Sequence, residues 1–296
     1  MLVRNMKGVF IDDDQMLDYE TNSFFRKIAN IFLIPTLDIL PVSTRVLLKK
    51  THRSGEEIIE HATNHRAMEV LYDRSPRPPG NRLQNFFLSV WLGTNNAKAV
   101  RNRLRLVKRE IKKKIAQLIA EDKDVKIVNI ASGSARAVLE SVDEMPLNDS
   151  FRLSAIFIDK NHEAISFSQQ LAGSHRYLSS FQWVKDTAEN FFETHSHGMK
   201  FNIAELVGLL EYLSDEEAIK MFSMVRDSLD PGGILITSNI VKNIEKRFIS
   251  DVLGWKMKYR TADEFSSLLI AAGFSLDKMN IYYEPQRIHC VITAQN

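Results

Sequence analysis

The stretch VKIVNIASGSARAVLESV, Val125 to Val142, decides how this chain folds. Val125, Ile127, Val128 and Ile130 form a β-branched run of buried-strand length. The small residues Ala131, Ser132, Gly133, Ser134 and Ala135 form a tight turn, and Ala137, Val138 and Leu139 open an apolar helical face. A helix that starts in such a turn aims unpaired backbone N–H groups and the positive end of its dipole at the loop, so the loop can seat an anion or a ribose. The next unit, LSAIFIDKNHEAISFSQQLA from Leu153 to Ala172, repeats strand, turn and helix, with Asp159 closing its strand. A carboxylate there can accept hydrogen bonds from both ribose hydroxyls, and it lies about 25 residues beyond Gly133, close to the spacing expected of paired nucleotide-binding units.

Downstream, FQWVKDTAENFF supplies a short third strand, Phe181 to Val184, followed by Asp186 and Thr187. A fourth strand runs from Phe201 to Val207 and ends at Gly208. Ser214 caps the helix DEEAIKMFSMVRDSL through its acidic first turn. Asp230-Pro231-Gly232-Gly233 is a turn that stops this helix, and ILITSNI is a buried strand. TADEFSSLLIAAGF is an amphipathic helix between a Thr261 cap and a Gly273 stop. The final KMNIYYEPQRIHCVITAQN reads as two strands joined at Glu284-Pro285-Gln286, an antiparallel ending. The expected fold is therefore α/β: a mostly parallel, seven-stranded sheet with helices on both faces and a C-terminal antiparallel hairpin. Ligands in such sheets bind outside the carboxyl ends of the strands, where Gly133, Asp159, Asp186 and Gly208 fall.

Upstream, from about Glu20 to Ala120, the pattern is helical without strand alternation, so an N-terminal all-helical region is expected. RSPRPPGN, Arg74 to Asn81, breaks it, and Ser54 is a candidate helix cap. A long basic helix follows, with apolar Val100, Leu104, Val107, Ile111, Ile115 and Leu118 at spacings of three and four. Its polar face carries Arg101, Arg103, Arg105, Lys108, Arg109, Lys112, Lys113 and Lys114. No aromatic residue interleaves that run for base stacking, so a solvated face is the expectation and nucleic acid is not an expected partner. Arg101 or Arg103, at the amino end of this helix, is placed to grip a carboxylate with a two-pronged fork.

The 296 residues hold 39 basic and 37 acidic side chains, a formal charge of +2, so no global field demands a polyanionic partner. The single cysteine, Cys290, allows no intramolecular disulfide and no thiolate metal cluster; a reducing, cytoplasmic location and no metal are expected. Acidic residues at Asp12, Asp13 and Asp14 interrupt the N-terminus, and the apolar stretches near Ile31 and Phe86 are too short to span a bilayer, so no membrane association is expected. Two parts follow: residues 1–95, a helical lid over the substrate that includes Phe86, Phe87, Val90, Trp91 and Leu92, and residues 96–296, the ligand-binding domain.

From about Lys112 onward the order of elements resembles the class I, Rossmann-like S-adenosylmethionine-dependent methyltransferases. Their first loop is an acidic residue followed by x-Gly-x-Gly-x-Gly; here Asn129-Ile130-Ala131-Ser132-Gly133-Ser134-Ala135 keeps only the middle glycine. Alanine still permits a tight turn if φ stays negative. SLDPGGILI is similar to the family's leucine-x-proline-glycine-glycine turn. The resemblance implies S-adenosyl-L-methionine as cofactor, held by Ala131, Ser132, Gly133, Asp159, Lys160, Asp186, Thr187, Gly208, Leu209 and Arg103. Asp159 would contact the ribose, Asp186 the adenine amino group, and the Gly208–Leu209 loop the methionine portion. Asn129 stands where the family has Asp, which removes a charge near the methionine ammonium, and Asn202 also stands where Asp is common.

The Asn/Asp-Pro-Pro-aromatic tetrapeptide that accompanies amino-group acceptors on nucleobases or glutamine is absent, so the implied acceptor is a small molecule. No universal catalytic residue follows from methyl transfer, which mainly needs orientation; Glu211, Tyr212 and His289 are candidate bases. A homodimer is left open. Two alternatives remain: an RNA methyltransferase docking through the basic helix at 101–114, and a cofactor-binding interaction protein without transfer activity. A dehydrogenase fits less well, because Gly-x-Gly-x-x-Gly is absent.

Overall fold

Eight strands share one sheet in the computed structural model, which describes residues 9–24, 56, 60, 65–73, 82, 85, 92–145, 152–196 and 198–296. In chain order they are β1 (Val9–Ile11), β2 (Val125–Ile130), β3 (Leu153–Asp159), β4 (Phe181–Lys185), β5 (Phe201–Leu206), β6 (Leu229–Ile240), β7 (Met279–Tyr283) and β8 (His289–Gln295). Across the sheet the order is β1-β7-β8-β6-β5-β2-β3-β4. Every pairing is parallel except those of β8 with β6 and β7, so the C-terminal hairpin is antiparallel as expected.

The expectation of seven strands and an all-helical N-terminus needs correcting. β1 adds an eighth strand, paired in parallel with β7 through Val9 with Ile281 and Ile11 with Tyr283. Three exposed residues are too few to show alternation, and the partner lies at the far end of the chain, so no local pattern could reveal the pairing. The following Asp12 anchors it. Its backbone N–H donates to Tyr283 O (2.8 Å), and its carboxylate pairs with Arg109 and accepts from the Tyr19 hydroxyl (3.0 Å). The Ser54 cap, the RSPRPPGN break and Phe86, Phe87, Val90 and Trp91 lie outside the described residues.

The described α-helices of more than three residues are α1 (His65–Tyr72), α2 (Asn95–Ala120), α3 (Arg136–Asp143), α4 (His162–Leu171), α5 (Asp215–Ser228) and α6 (Ala262–Ala271). Helices cover both faces of the sheet. Ala218, Met221, Phe222 and Val225 of α5 and Phe265, Leu268 and Leu269 of α6 pack on one face. Leu106, Val107, Ile111, Ile115 and Leu118 of α2 and Val138, Leu139 and Val142 of α3 pack on the other. Burying a Leu, Ile or Phe side chain is worth about 1.5–3 kcal/mol, so these stripes dominate the stability of the domain. Ser214 and Thr261 each complete a capping box, with Glu217 and Glu264, and fix where α5 and α6 begin.

α2 is the longest described element, at 26 residues, and its amino end is built into the protein. Thr94 caps it, accepting from Ala97 N, while the buried Glu245 carboxylate accepts from the backbone N–H groups of Asn95 and Asn96 at 2.9 Å each. A carboxylate there satisfies orphan donors and complements the helix dipole. The expected Asp230–Gly233 turn is instead the irregular first part of β6, where the pairing with β5 shifts register between Phe201 and Ile203. Gly233 is required there: a Cβ would come within 2.8 Å of Phe201 O. Among the described residues no helix is long and apolar enough to cross a membrane.

Candidate active site

The loop after β2 adopts left-handed backbone at three positions, with φ +50° at Ala131, +54° at Gly133 and +56° at Ala135. This corrects the expectation of negative φ at the alanines. The loop keeps the path that three glycines would take, and two residues with a Cβ bear the strain. Left-handed backbone costs an L-residue roughly 1–2 kcal/mol, partly offset by glycine's larger loss of chain entropy. Ala131→Gly and Ala135→Gly should therefore each raise stability by about 0.5–1 kcal/mol. Urea unfolding reads this directly, and a loss in both variants would show that the turn stores no strain.

The loop is tied to the neighbouring strand. Ser132 N donates to Ile158 O (2.9 Å) and Gly133 N to Asp159 Oδ2 (2.9 Å), while Asp159 Oδ1 accepts from Asn161 N (2.8 Å). No side chain caps the amino end of α3. Its first residues Arg136 and Ala137, with Ala135, line a cavity of about 820 Å³ that opens over the carboxyl ends of β2, β3, β4 and β5. A cavity of this size is in the usual range for a cofactor or substrate.

Apart from Arg101, the residues proposed from the sequence for binding or catalysis line that one cavity: Ala131, Ser132, Gly133, Asp159, Lys160, Asp186, Thr187, Gly208, Leu209 and Arg103, and also Glu211, Tyr212 and His289. Asp186 Oδ1 accepts from Thr187 N (2.8 Å) and Oδ2 from Asn190 Nδ2 (2.6 Å), which fixes its carboxylate at the end of β4. Gly208 has φ +86° and nothing within 4 Å of where a Cβ would stand, so the chain turns there beside open space.

The deep end of the cavity is polar and incompletely satisfied. Arg103 and Glu211 form an ion pair with Nη1 and Oε1 3.8 Å apart, too long for a hydrogen bond. Arg103 Nε, both Glu211 carboxylate oxygens, both His289 ring nitrogens, Asn129 Oδ1 and Ser132 Oγ have no hydrogen-bond partner. Unpaired buried polar atoms cost about 1–3 kcal/mol each, so this cluster is shaped for a ligand that completes it. Burial raises the Glu211 carboxyl against the pull of Arg103. Burial, with Arg103 adding to it, lowers the His289 imidazole well below its ordinary value, so His289 is neutral near pH 7. Burial pushes the Tyr212 phenol up to about 12, and its hydroxyl accepts from Trp255 Nε1 (2.7 Å), so Tyr212 keeps its proton. Arg260 fastens the turn carrying Glu211 and Tyr212, donating to Leu210 O (2.8 Å) and Leu213 O (2.7 Å).

The basic helix is not the solvated face its sequence suggests. Arg101 is buried, bonded to Glu20 and to the carbonyls of Leu71 and Leu92, so of the two arginines at this end Arg103 alone lines the cavity. Lys108 pairs with Glu140 and Glu144, Lys112 with Glu144, Arg105 with Glu20, and Arg109 with Asp12 and Glu110. Buried Lys114 donates to Gly232 O (2.9 Å).

Sequence reasoning missed His65 and Tyr72 of α1, which line the cavity, and Glu205, which lies inside β5. A lone Glu in an apolar strand was the available signal, since an acid at a buried strand position needs a reason. An apolar wall of Met68, Leu71, Phe248, Leu253, Trp255 and Met257 completes the cavity, brought together from α1 and the segment after β6.

The family described as "Putative methyltransferase" matches residues 64–296. The uncharacterised protein YnbC of Escherichia coli (strain K12) is 23% identical over 216 residues, covering 70% of this chain and 36% of YnbC. The chain thus spans about a third of the length of the curated relative it matches. A possible exported protein from Bordetella parapertussis superposes with TM-score 0.63 at 14% identity, over 93% of this chain and 99% of that one. A "putative O-methyltransferase" from Nostoc punctiforme PCC 73102 superposes with TM-score 0.51 at 15% identity, over 82% of this chain and 72% of that one.

Proposed function

The chain belongs to this methyltransferase family and carries the class I S-adenosylmethionine-dependent methyltransferase fold, and from that premise we propose that it transfers a methyl group from S-adenosyl-L-methionine to a small, largely apolar acceptor. One observation carries this reading: the residues expected to hold the cofactor converge, from five separate segments, on one cavity whose buried polar atoms lack partners. The residues fit the group. Asp159 keeps lone pairs that would serve the ribose diol, and Asp186 with Thr187 would meet the adenine edge. The left-handed loop would bring backbone close to the methionine portion, and Arg103 would offer its unused Nε–H to a carboxylate. Bound there, the cofactor supplies a methyl group made electrophilic by its sulfonium.

The chain's own task is to bind, orient and exclude water. Met68, Leu71, Leu253, Trp255 and Met257 form a dry wall suited to an aliphatic or aromatic acceptor. His289, held neutral, can accept a proton from an acceptor hydroxyl or amine, and Glu211 stands beside Arg103 as a second candidate. Tyr212, keeping its proton, acts as a donor or spacer rather than a base. Within residues 1–95, α1 serves as a lid, contributing His65, Met68, Leu71 and Tyr72 to the cavity wall, while β1 belongs to the sheet. The single buried Cys290 is what supports the cytoplasmic expectation.

The in-chain partners of the basic helix argue against RNA as the acceptor, because most of its charge is paired with Glu20, Glu110, Glu140 and Glu144. Incubation with labelled S-adenosyl-L-methionine and a fractionated cell extract should label the low-molecular-weight fraction. Label in the RNA fraction would favour the nucleic-acid reading. Cofactor binding with no label in any fraction would favour a non-transferring interaction protein.

A further inference from the structure

The carboxyl-terminal halves of β2 and β5 lie side by side, and their register pairs Asn129 with Glu205. Both side chains are buried, at 2% and 5% exposure, and both line the cavity beside the Ala131–Ala135 loop. Asn129 Nδ2 donates to Glu205 Oε2, which leaves Asn129 Oδ1 without a partner. The family pattern has an acid where this chain has Asn129. The carboxyl is nevertheless present, one strand over, on the residue directly across the ladder.

The charges around it define what could bind. Arg103 from α2, Tyr72 from α1 and Asn129 from β2 face Glu205, and Glu211 from the turn after β5 and His289 from β8 face Arg103 in the same cavity. The neighbourhood thus holds one cation against two carboxyls and an orphan amide oxygen, a surplus of acceptors. An α-amino acid group answers both halves: its carboxylate matches Arg103, and its ammonium, with three donors, matches the acceptors.

Resting on the methyltransferase reading above, we propose that Glu205 stands in for the acid missing at position 129 and, with Asn129 Oδ1, holds the α-ammonium group of the bound cofactor. Burial pushes the Glu205 carboxyl up to about 8, with Arg103 opposing, so before binding it is mostly protonated at pH 7. An arriving ammonium favours the carboxylate, and the proton departs to solvent. Affinity therefore rises with pH between the bound-state value and about 8, by up to about tenfold per unit. The effect is read between about pH 6 and pH 7.5, below the range in which the ligand's own α-amino group loses its proton.

The probe is S-adenosylhomocysteine, whose sulfur is neutral, so the α-ammonium is the only cation near this end of the ligand. Titration calorimetry of the full chain in two buffers of different ionisation enthalpy should show about half to one proton released per ligand at pH 7. Glu205→Gln should bind on the order of 10–100-fold more weakly at pH 7.5, with no proton release and a flat pH profile. The swap Asn129→Asp with Glu205→Asn should return affinity to within about fivefold of the parent, because it restores the family's arrangement on the same ladder rung. If Glu205→Gln does not fold, Glu205→Asp and the parent's own proton count decide. Unchanged affinity in Glu205→Gln, or no proton released by the parent, sinks the role of Glu205 and leaves cofactor binding standing. No binding of S-adenosylhomocysteine by the parent at millimolar concentration sinks the methyltransferase reading itself.

Discussion

Replacing Gly133 by valine should weaken S-adenosylhomocysteine binding by at least about 100-fold while the sheet still folds. Gly133 sits at φ +54°, and its N–H is held by Asp159 Oδ2. A β-branched residue there has two outcomes. Keeping the left-handed backbone costs more than the roughly 1–2 kcal/mol typical of L-residues, because branching at Cβ crowds the carbonyl further. Returning to negative φ swings the N–H away from Asp159 and reshapes the loop that meets the ligand. A Cβ alone would lie 3.6 Å from the Cβ of His65, an ordinary contact, so the extra methyl groups must find room against α1 or inside the cavity. Gly133→Ala should therefore fall between the two. If the valine variant folds with a normal melting transition and binds as the parent does, this loop is not the seat.

Asp159→Ala should cost on the order of 10–150-fold in affinity, the range for a lost hydrogen-bonding carboxylate of about 1.5–3 kcal/mol. The structure adds a second source of loss, because this carboxylate also holds Gly133 N and Asn161 N and so shapes the loop besides the contact proposed for it with a ribose. Asp159→Asn separates the two roles: it keeps an acceptor for one backbone N–H and loses the charge. Asp186→Ala should cost less than Asp159→Ala, since an adenine edge would offer Asp186 a single donor and its other partners, Thr187 N and Asn190, lie within its own turn. Calorimetry on the three variants ranks them, and an alanine at 186 more damaging than one at 159 would reverse the assignment of ribose and adenine ends.

The repeating strand–turn–helix units were legible because each is local. Six-residue β-branched runs, an acid at a strand end, and Ser-Asp-Glu-Glu or Thr-Ala-Asp-Glu before an apolar helix all declare themselves within a few residues, and the structure has both capping boxes. The convergence of Gly133, Asp159, Asp186 and Gly208 followed from parallel topology, which brings every strand's carboxyl end to one side. What stayed hidden depends on partners far along the chain. Arg101 reads as a surface charge until Glu20 and two carbonyls are seen around it. Glu245 reads as one charge among many until α2's amino end is seen docked on it. The sign of φ at Ala131 and Ala135 was hidden for another reason: alanine carries no local mark of left-handed backbone, which here follows from the packing of the loop.

The pairing of β1 with β7 has a consequence for how the protein is made. Val9 has no sheet partner until Ile281 has been synthesised, some 270 residues later. At ribosomal speeds of about 5–20 residues per second this is a wait of about 15–55 s. Throughout that interval Phe10, more than half exposed even in the finished protein, waits on an unpaired segment. Once made, β7 has a free edge until β1 arrives, so the vulnerable window belongs to both ends of the chain at once. Parallel closure over such a sequence separation is slow, which places β1 among the last elements to dock in maturation.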